Sequence, residues 1–330
     1  MDQLHKFLFE GLPVRGVLVR LDTSWRELLS RRTSASDGGH AFPAPVRALL
    51  GEMAAASVLM QANLKFNGAL ILQMQGDGPV KLAVAETQPD LSFRVTAKVV
   101  GEVPADASLE ALLNVHGQGR CAITLDPLDR QPGQQPYQGV VPLYGDQKEP
   151  LQRLSEVLEH YMLQSEQLDT RLVLAANDEV AAGLLIQRLP MAGVGNLAGS
   201  MVSKENEDEI GLNEHYNRIA TLASSLQREE LLTLDVDTIL RRLFWEEQVT
   251  RFEPLIGATG PRFACNCSRE RVGRMIQGLG REEVEEILTE RGDVEVACEF
   301  CGVQYRFDPV DAAQLFTDSA RLGPTGDDLH

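Results

Sequence analysis

The period of apolar and polar positions changes several times along the chain, and each change marks an element. Residues 14–22 set Val14, Val17, Val19 and Leu21 against Arg15 and Arg20, with an interruption at Gly16, which is the pattern of a half-buried strand. Residues 25–31 then predict a helix. Residues 46–65 are rich in Ala, Leu and Met and lack Pro or a β-branched run, so they predict a buried helix with a left-handed stop at Asn67-Gly68. Two strands, 69–75 and 80–85, flank Gly76-Asp77-Gly78-Pro79, a composition that turns a chain sharply into a hairpin. Residues 93–99 and 120–125 repeat the strand pattern. A Pro/Gln/Gly-rich loop at 127–136 precedes a short strand at 137–141. From Pro150, the apolar residues Leu151, Leu154, Leu158 and Tyr161 recur at helical spacing, and residues 170–176 and 181–189 return to strand-like runs.

Beyond this point the character shifts. Residues 193–199 are small, residues 204–209 form an acidic polar run, and Leu212, Tyr216, Ile219, Leu222 and Leu226 then make one apolar helix stripe. A second stripe comprises Val236, Ile239, Leu240, Leu243 and Phe244. Such faces need a cover, either the large domain or a partner chain, and they read as docked helices or as a detachable connector. The expected class is α+β. An N-terminal mixed α/β domain with a substantial sheet spans 1–199, a helical linker 200–255, a small C-terminal four-cysteine zinc domain 256–316 and a tail 317–330.

A length of 330 residues favours two domains, and the composition, 43% hydrophobic and 24% charged, is that of a globular protein. A formal net charge of −17 repels phosphate backbones and anionic lipid, so neither nucleic acid nor a membrane is the expected partner. No basic segment followed by a long apolar run opens the chain and no stretch is long enough to span a bilayer, which makes the cytoplasm the expected location.

Of the five cysteines, four fall in two close pairs, Cys265-Asn266-Cys267 and Cys298-Glu299-Phe300-Cys301. Two thiols per pair suit a tetrahedral zinc ion, because each pair brings two sulfurs within bonding reach and the intervening chain folds the pairs together. Ser268 is a good N-cap for a helix at 269–279, Gly280 can end it, 281–290 can form another, and strands at 294–296 and 303–307 bracket the second pair. Arg262, Arg269, Arg271 and Arg274 near the first pair can offset the negative charge of a tetrathiolate site. Zinc that only staples a mini-domain is one reading. A redox switch is the other, since thiolates react with oxidants and each pair can close a local disulfide. Cys121, far from the others, reads as a small buried apolar residue. His5, His40, His116, His160, His215 and His330 show no ligand spacing, and no triad, Walker-type loop or dinucleotide fingerprint occurs, so no catalytic residue is assigned and an enzyme is not expected.

The residues Cys265-Asn266-Cys267-Ser268-Arg269-Glu270-Arg271 and Cys298-Glu299-Phe300-Cys301-Gly302, followed by Tyr305, Phe307 and Asp308, resemble the redox-regulated thirty-three-kilodalton heat-shock chaperone family. Tyr137-Gln138-Gly139-Val140-Val141-Pro142-Leu143, Gln164-Ser165-Glu166-Gln167-Leu168 with Thr170, residues 184–190 and Arg242-Leu243-Phe244 extend the resemblance over nearly the whole chain. The resemblance implies an ATP-independent holdase that binds unfolding client proteins. It would be inactive while reduced with one zinc ion on Cys265, Cys267, Cys298 and Cys301, and active after oxidation with heat stress, as a homodimer. It also implies oxidised pairs Cys265 with Cys267 and Cys298 with Cys301. Ring strain between cysteines at i and i+2 favours closure of the second pair first. The stripe 212–226 is then a candidate client surface. The loop 127–136, the tail beyond Phe316 and Cys121 carry no mark of the family. Two other readings stand beside this one: a constitutive zinc-ribbon interaction protein that engages nucleic acid, and a thiol oxidoreductase using Cys298 and Cys301.

Overall fold

A computed structural model describes residues 1–34, 41–130, 133–189 and 213–321. The expectations placed on 193–199, 204–209, Leu212, Pro190, His40, the 199/200 boundary and residues 322–330 lie outside the described residues. The chain divides into two compact units, Met1–Leu29 with Phe42–Ala264, and Ser30–Ala41 with Cys265–His330.

In chain order the elements as far as Phe263 are β1 (Gln3–Phe9), β2 (Val14–Leu21), α1 (Thr23–Ser34), α2 (Ala44–Asn63), β3 (Gly68–Gln75), β4 (Val80–Thr87), β5 (Ser92–Val99), α3 (Leu109–Leu113), β6 (Arg120–Pro127), β7 (Tyr137–Pro142), α4 (Leu154–Glu166), β8 (Thr170–Ala176) and β9 (Ala181–Arg188). They continue with α5 (Asn213–Ser224), α6 (Arg228–Thr233), α7 (Val236–Phe244), β10 (Val249–Arg251), β11 (Leu255–Ile256) and β12 (Arg262–Phe263). The strands build two sheets where one was expected. The first runs β10-β1-β2-β9-β8 with β11 also on β1, and the second runs β12-β5-β4-β3-β6-β7. All of these pairings are antiparallel except β12 with β5, which is parallel.

The two sheets share one core through α2. This helix carries Ala, Leu, Met and Val on every side, and thirteen of its twenty residues are buried. A helix this widely apolar, with few charged residues such as Arg47 and Glu52, belongs between two apolar surfaces. Leu4, Val17, Val19, Leu185, Leu70, Leu72 and Val95, from strands of both sheets, lie in the cluster that contains it. Gly51 lets the helix approach the first sheet, since a Cβ there would lie 2.4 Å from that of Ala176. Polar side chains on the helix take partners in the core: the Thr87 hydroxyl donates to Ser57 Oγ at 2.8 Å and Gln61 Nε2 donates to the Gly68 carbonyl at 3.1 Å. α2 ends at Asn63 with Leu64 in extended backbone, not at a left-handed Asn67-Gly68 stop. Gly68 serves close packing instead, because a Cβ would fall 2.3 Å from the Asp126 carbonyl oxygen. α4 likewise starts at Leu154, later than its apolar period predicts, because the Leu151 N–H is committed to the Leu143 carbonyl at 3.1 Å.

The apolar run of β9 is explained by burial on both faces. Ala181 and Leu185 join the α2 core, whereas Ala182, Leu184 and Ile186 face a second cluster with Phe7, Phe9 and Leu18. That second cluster is closed by α5, α6 and α7, through Tyr216, Ile219, Ala223, Leu231, Ile239, Leu243 and Phe244, with Leu226 between the first two helices. The cover for the two apolar stripes is therefore the outer face of the first sheet.

Glu52 gives this unit a pH signature. Its carboxylate on α2 stands 3.6 Å from the Arg228 guanidinium, yet burial outweighs that attraction and pushes its pKa up to about 7. A carboxyl whose folded pKa exceeds its unfolded value favours the folded state at low pH and loses that advantage as pH rises from about 4.5 towards 7. Glu52→Gln is expected to raise stability at pH 8 by about 1–2 kcal/mol and to flatten the profile between pH 5 and 8. A variant that melts below the parent at pH 8 would show that the ion pair outweighs desolvation.

The second unit contains α8 (Arg269–Leu279), α9 (Arg281–Arg291), the hairpin of β13 (Val294–Ala297) and β14 (Gln304–Phe307), and α10 (Pro309–Arg321). Ser268 caps α8 by accepting from the Arg271 N–H at 3.2 Å, and Gly280 ends it, as the sequence predicts. α10 was not legible from the pattern. Its core is small: Val272, Ile276, Val284, Val294, Phe307 and Ala312 are the buried members, so few apolar contacts oppose unfolding.

Candidate metal centre

Local backbone chemistry delivers each cysteine pair. The first pair follows β12 and precedes the Ser268 cap, so Cys265 and Cys267 sit at the entrance of α8. The second lies in the turn between β13 and β14, where the Cys298 N–H donates to the Val303 carbonyl at 2.9 Å and the Gly302 N–H donates back to Cys298 at 2.8 Å. Gly302 has a φ of 73°, which lets the chain double back beneath the sulfurs. All four Sγ atoms lie within 4.8 Å of one another. The nearest neighbours cross between pairs, Cys265 to Cys298 at 3.6 Å and Cys267 to Cys301 at 3.4 Å. Four sulfurs at about 2.3 Å from a tetrahedral zinc would stand about 3.8 Å apart, so the spacing fits a shared ion.

The electrostatics point the same way. As bare thiols the group resists ionising together: a hydrogen bond with Cys298 holds Cys265 below its ordinary value, and the same bond pushes Cys298 up to about 12. Burial pushes Cys301 up to about 11. One proton-poor sulfur is tolerated and further negative charge is not, unless a cation joins the cluster. The Tyr305 hydroxyl donates to Cys267 Sγ at 3.1 Å, which drives the phenol well above its ordinary value. Spacing alone does not assign Tyr305 to the sulfurs. The signal is the strand period, with Phe307 anchoring the same face of β14 in the core. The four arginines do not act as one counter-charge. Arg262 is engaged with Asp90, and Arg269 pairs with Asp311 at 2.6 Å while its guanidinium stacks 4.2 Å over Phe307. Arg271 does reach the first pair, donating to the Asn266 carbonyl at 2.9 Å.

The sequence matches the family described as Hsp33 protein over residues 2–308. The chain belongs to the Hsp33 family. Similar proteins named 33 kDa chaperonin include that of Chromobacterium violaceum, 46% identical over 96% of this chain and 94% of its own length. That of Methylobacillus flagellatus is 42% identical over 96% and 94%. The fold is that of the crystal structure of the 33 kDa chaperonin of Thermotoga maritima, with a TM-score of 0.71 at 19% identity, covering 97% of this chain and 100% of that one. As an Hsp33 family member the chain is a chaperone, and its mixed α/β architecture with a C-terminal four-cysteine cluster that could hold a metal ion accords with that class.

Beside the Hsp33 cluster, the other singled-out residues fall elsewhere. Cys121 is fully buried in the α2 core and burial pushes its thiol up to about 12, so it is the inert apolar residue that its strand setting predicts. Among the described residues no histidine joins a metal-ligating group. Cys298 and Cys301 occupy a hairpin turn and not a helix N-terminus, where a redox-active C-x-x-C gains its acidity. Among the described residues, no helix is long and apolar enough to cross a membrane.

Proposed function

We propose that this chain is a redox-regulated, ATP-independent holdase that captures unfolding proteins under combined oxidative and heat stress. The observation that carries the reading is the four-thiol cluster in a unit with so small an apolar core. Cys265, Cys267, Cys298 and Cys301 would be the ligands of one zinc ion in the reduced, inactive state. Bound zinc would supply the positive charge that lets four thiolates coexist and would tie the α8 entrance to the β13–β14 turn. Peroxide then takes two electrons from Cys298 and Cys301: two thiolates and one hydrogen peroxide yield one disulfide and two hydroxide ions. Cys265 with Cys267 forms the second disulfide in the same way. Each disulfide removes two donors from the site, and the unit loses a stabilising contribution on the order of 10 kcal/mol.

Cys265 follows directly on Ala264, whose N–H donates to the Phe93 carbonyl at 3.1 Å just after the two-residue strand β12. Unfolding beyond Cys265 would therefore work first on the short strands β12, β11 and β10 and then on α5 to α7, the helices of the connecting segment 200–255 between a core domain 1–199 and a switch domain 256–316. Release of these helices uncovers the apolar face of the first sheet as well as their own stripes, including Tyr216, Ile219 and Leu226. Clients present apolar segments that such patches recruit. The active form would be a cytoplasmic homodimer without affinity for nucleic acid or membranes, and no catalytic turnover is assigned.

The test follows zinc, free thiols and suppression of a client's aggregation in one sample before and after peroxide with mild heating. Metal at one ion per chain, loss of four thiols and a gain of suppression are expected together. Equal suppression by reduced and oxidised protein would remove the switch and leave only a constitutive zinc module.

A further inference from the structure

The structure points to one residue outside the cysteine set that governs how the site holds and loses its thiolates. We infer that the Tyr305 hydroxyl is a positioning residue for Cys267, clamping its sulfur by a hydrogen bond and thereby protecting the Cys265–Cys267 half of the site from peroxide. The inference rests on the zinc reading of the four cysteines and extends it to an outer partner. Tyr305 lies opposite Val296 in the hairpin, and its ring packs beside the small core while its hydroxyl reaches Cys267 Sγ at 3.1 Å. The interaction is asymmetric. The Arg271 donor at the same pair goes to the Asn266 carbonyl and not to sulfur, and Tyr305 is a side-chain oxygen donor to one of the four sulfurs.

A sulfur lone pair engaged by a phenolic proton is less available to attack the O–O bond of peroxide, and outer hydrogen bonds of this kind orient ligands and tighten metal binding. Cys267 is thus held for the metal and withheld from the oxidant. The Tyr305 aromatic body is kept by phenylalanine, so Tyr305→Phe removes the clamp without opening a cavity in the small core.

The experiment uses the full-length chain and Tyr305→Phe. Zinc affinity is measured by competition with a chromogenic chelator, and thiols are mapped by alkylation and peptide mass spectrometry at intervals after hydrogen peroxide. Loss of an outer-shell partner is expected to weaken zinc by roughly tenfold and to speed oxidation of Cys265 and Cys267 relative to Cys298 and Cys301. In the cobalt-substituted protein the thiolate-to-metal charge-transfer band should move to lower energy, because the hydrogen bond no longer lowers the energy of the Cys267 lone pairs, while the affinity falls because the sulfur is no longer held in place. A merely structural role would lower the melting temperature and leave both the band and the order of thiol loss in place. Unchanged affinity, band and order overturn the inference. Parent protein that binds the metal but gains no suppression on oxidation would defeat the proposed switch while leaving the Tyr305 comparison readable.

Discussion

Cys298→Ser is expected to lose zinc under conditions in which the parent keeps it, and to suppress client aggregation partially while fully reduced. If a structural tetrathiolate site contributes about 10–16 kcal/mol, each ligand is worth about 3 kcal/mol, or on the order of a hundredfold in affinity. A serine hydroxyl does not ionise at neutral pH, so the loss of the donor is complete. Among the described residues, the apolar cluster of the unit around it has six buried members, so the unit has little to fall back on. Inductively coupled plasma measurement of metal after dialysis against a weak chelator, run beside a light-scattering assay with a heat-labile client, reads both effects. Cys121→Ser provides the contrast. That thiol is 0% exposed among apolar neighbours, so the substitution should cost about 1–3 kcal/mol of stability and leave metal content and redox response alone. A Cys298→Ser protein that keeps its metal and stays inert would uncouple the site from activity.

The contrast between those two cysteines shows what a linear sequence can and cannot carry. The clustering of the four cysteines, which could hold a metal ion, is legible because such a group needs close pairs, and both pairs close over very few residues. Their caps are equally local: Ser268 before α8 and Gly280 after it follow from side-chain and backbone preferences within one turn. The second apolar stripe, from Val236 to Phe244, reads as a helix because its period is repeated, and every member is buried. What was not legible depends on partners distant in sequence. β1 reads weakly because Phe7 and Phe9 face one side of its sheet and Leu4 the other, and its partners include β10 and β11, some 240 residues away. One substantial sheet became two because strand runs do not say which runs pair, and α2, with thirteen of its twenty residues buried, separates them. Tyr305 belongs to the same class, since its bond to Cys267 spans 38 positions and exists only once the hairpin register is fixed.

Ile239→Asp is expected to produce a chaperone that needs no oxidant. Ile239 is 2% exposed on α7, within the cluster that joins the helices to Phe7, Phe9, Leu184 and Ile186. Deleting a buried Ile costs about 2–5 kcal/mol, and placing an unpaired carboxylate there adds several more, which exceeds what a short helix can recover elsewhere. α7 should leave the sheet, and the Phe9–Phe244 edge contact, with ring centroids 4.9 Å apart, should go with it. The far side of the sheet is a separate cluster around α2, so the core need not collapse. Trp25 reports on that core: it is fully buried and its Nε1 donates to the Asn177 carbonyl at 2.7 Å, whereas Trp245 is 74% exposed. In a Trp245→Phe background, Ile239→Asp should keep the blue-shifted emission of Trp25, retain stoichiometric metal and four reduced thiols, and yet bind a hydrophobic dye and suppress aggregation. This outcome places the sticky surface under the helices and makes the cysteines a remote control over it. A variant with the helices displaced that stays inert until peroxide is added would put the client surface elsewhere. Ile239→Ala, with the smaller loss, should fall between parent and Asp variant, so a graded series of helix release and activity is the expected signature of a covered surface.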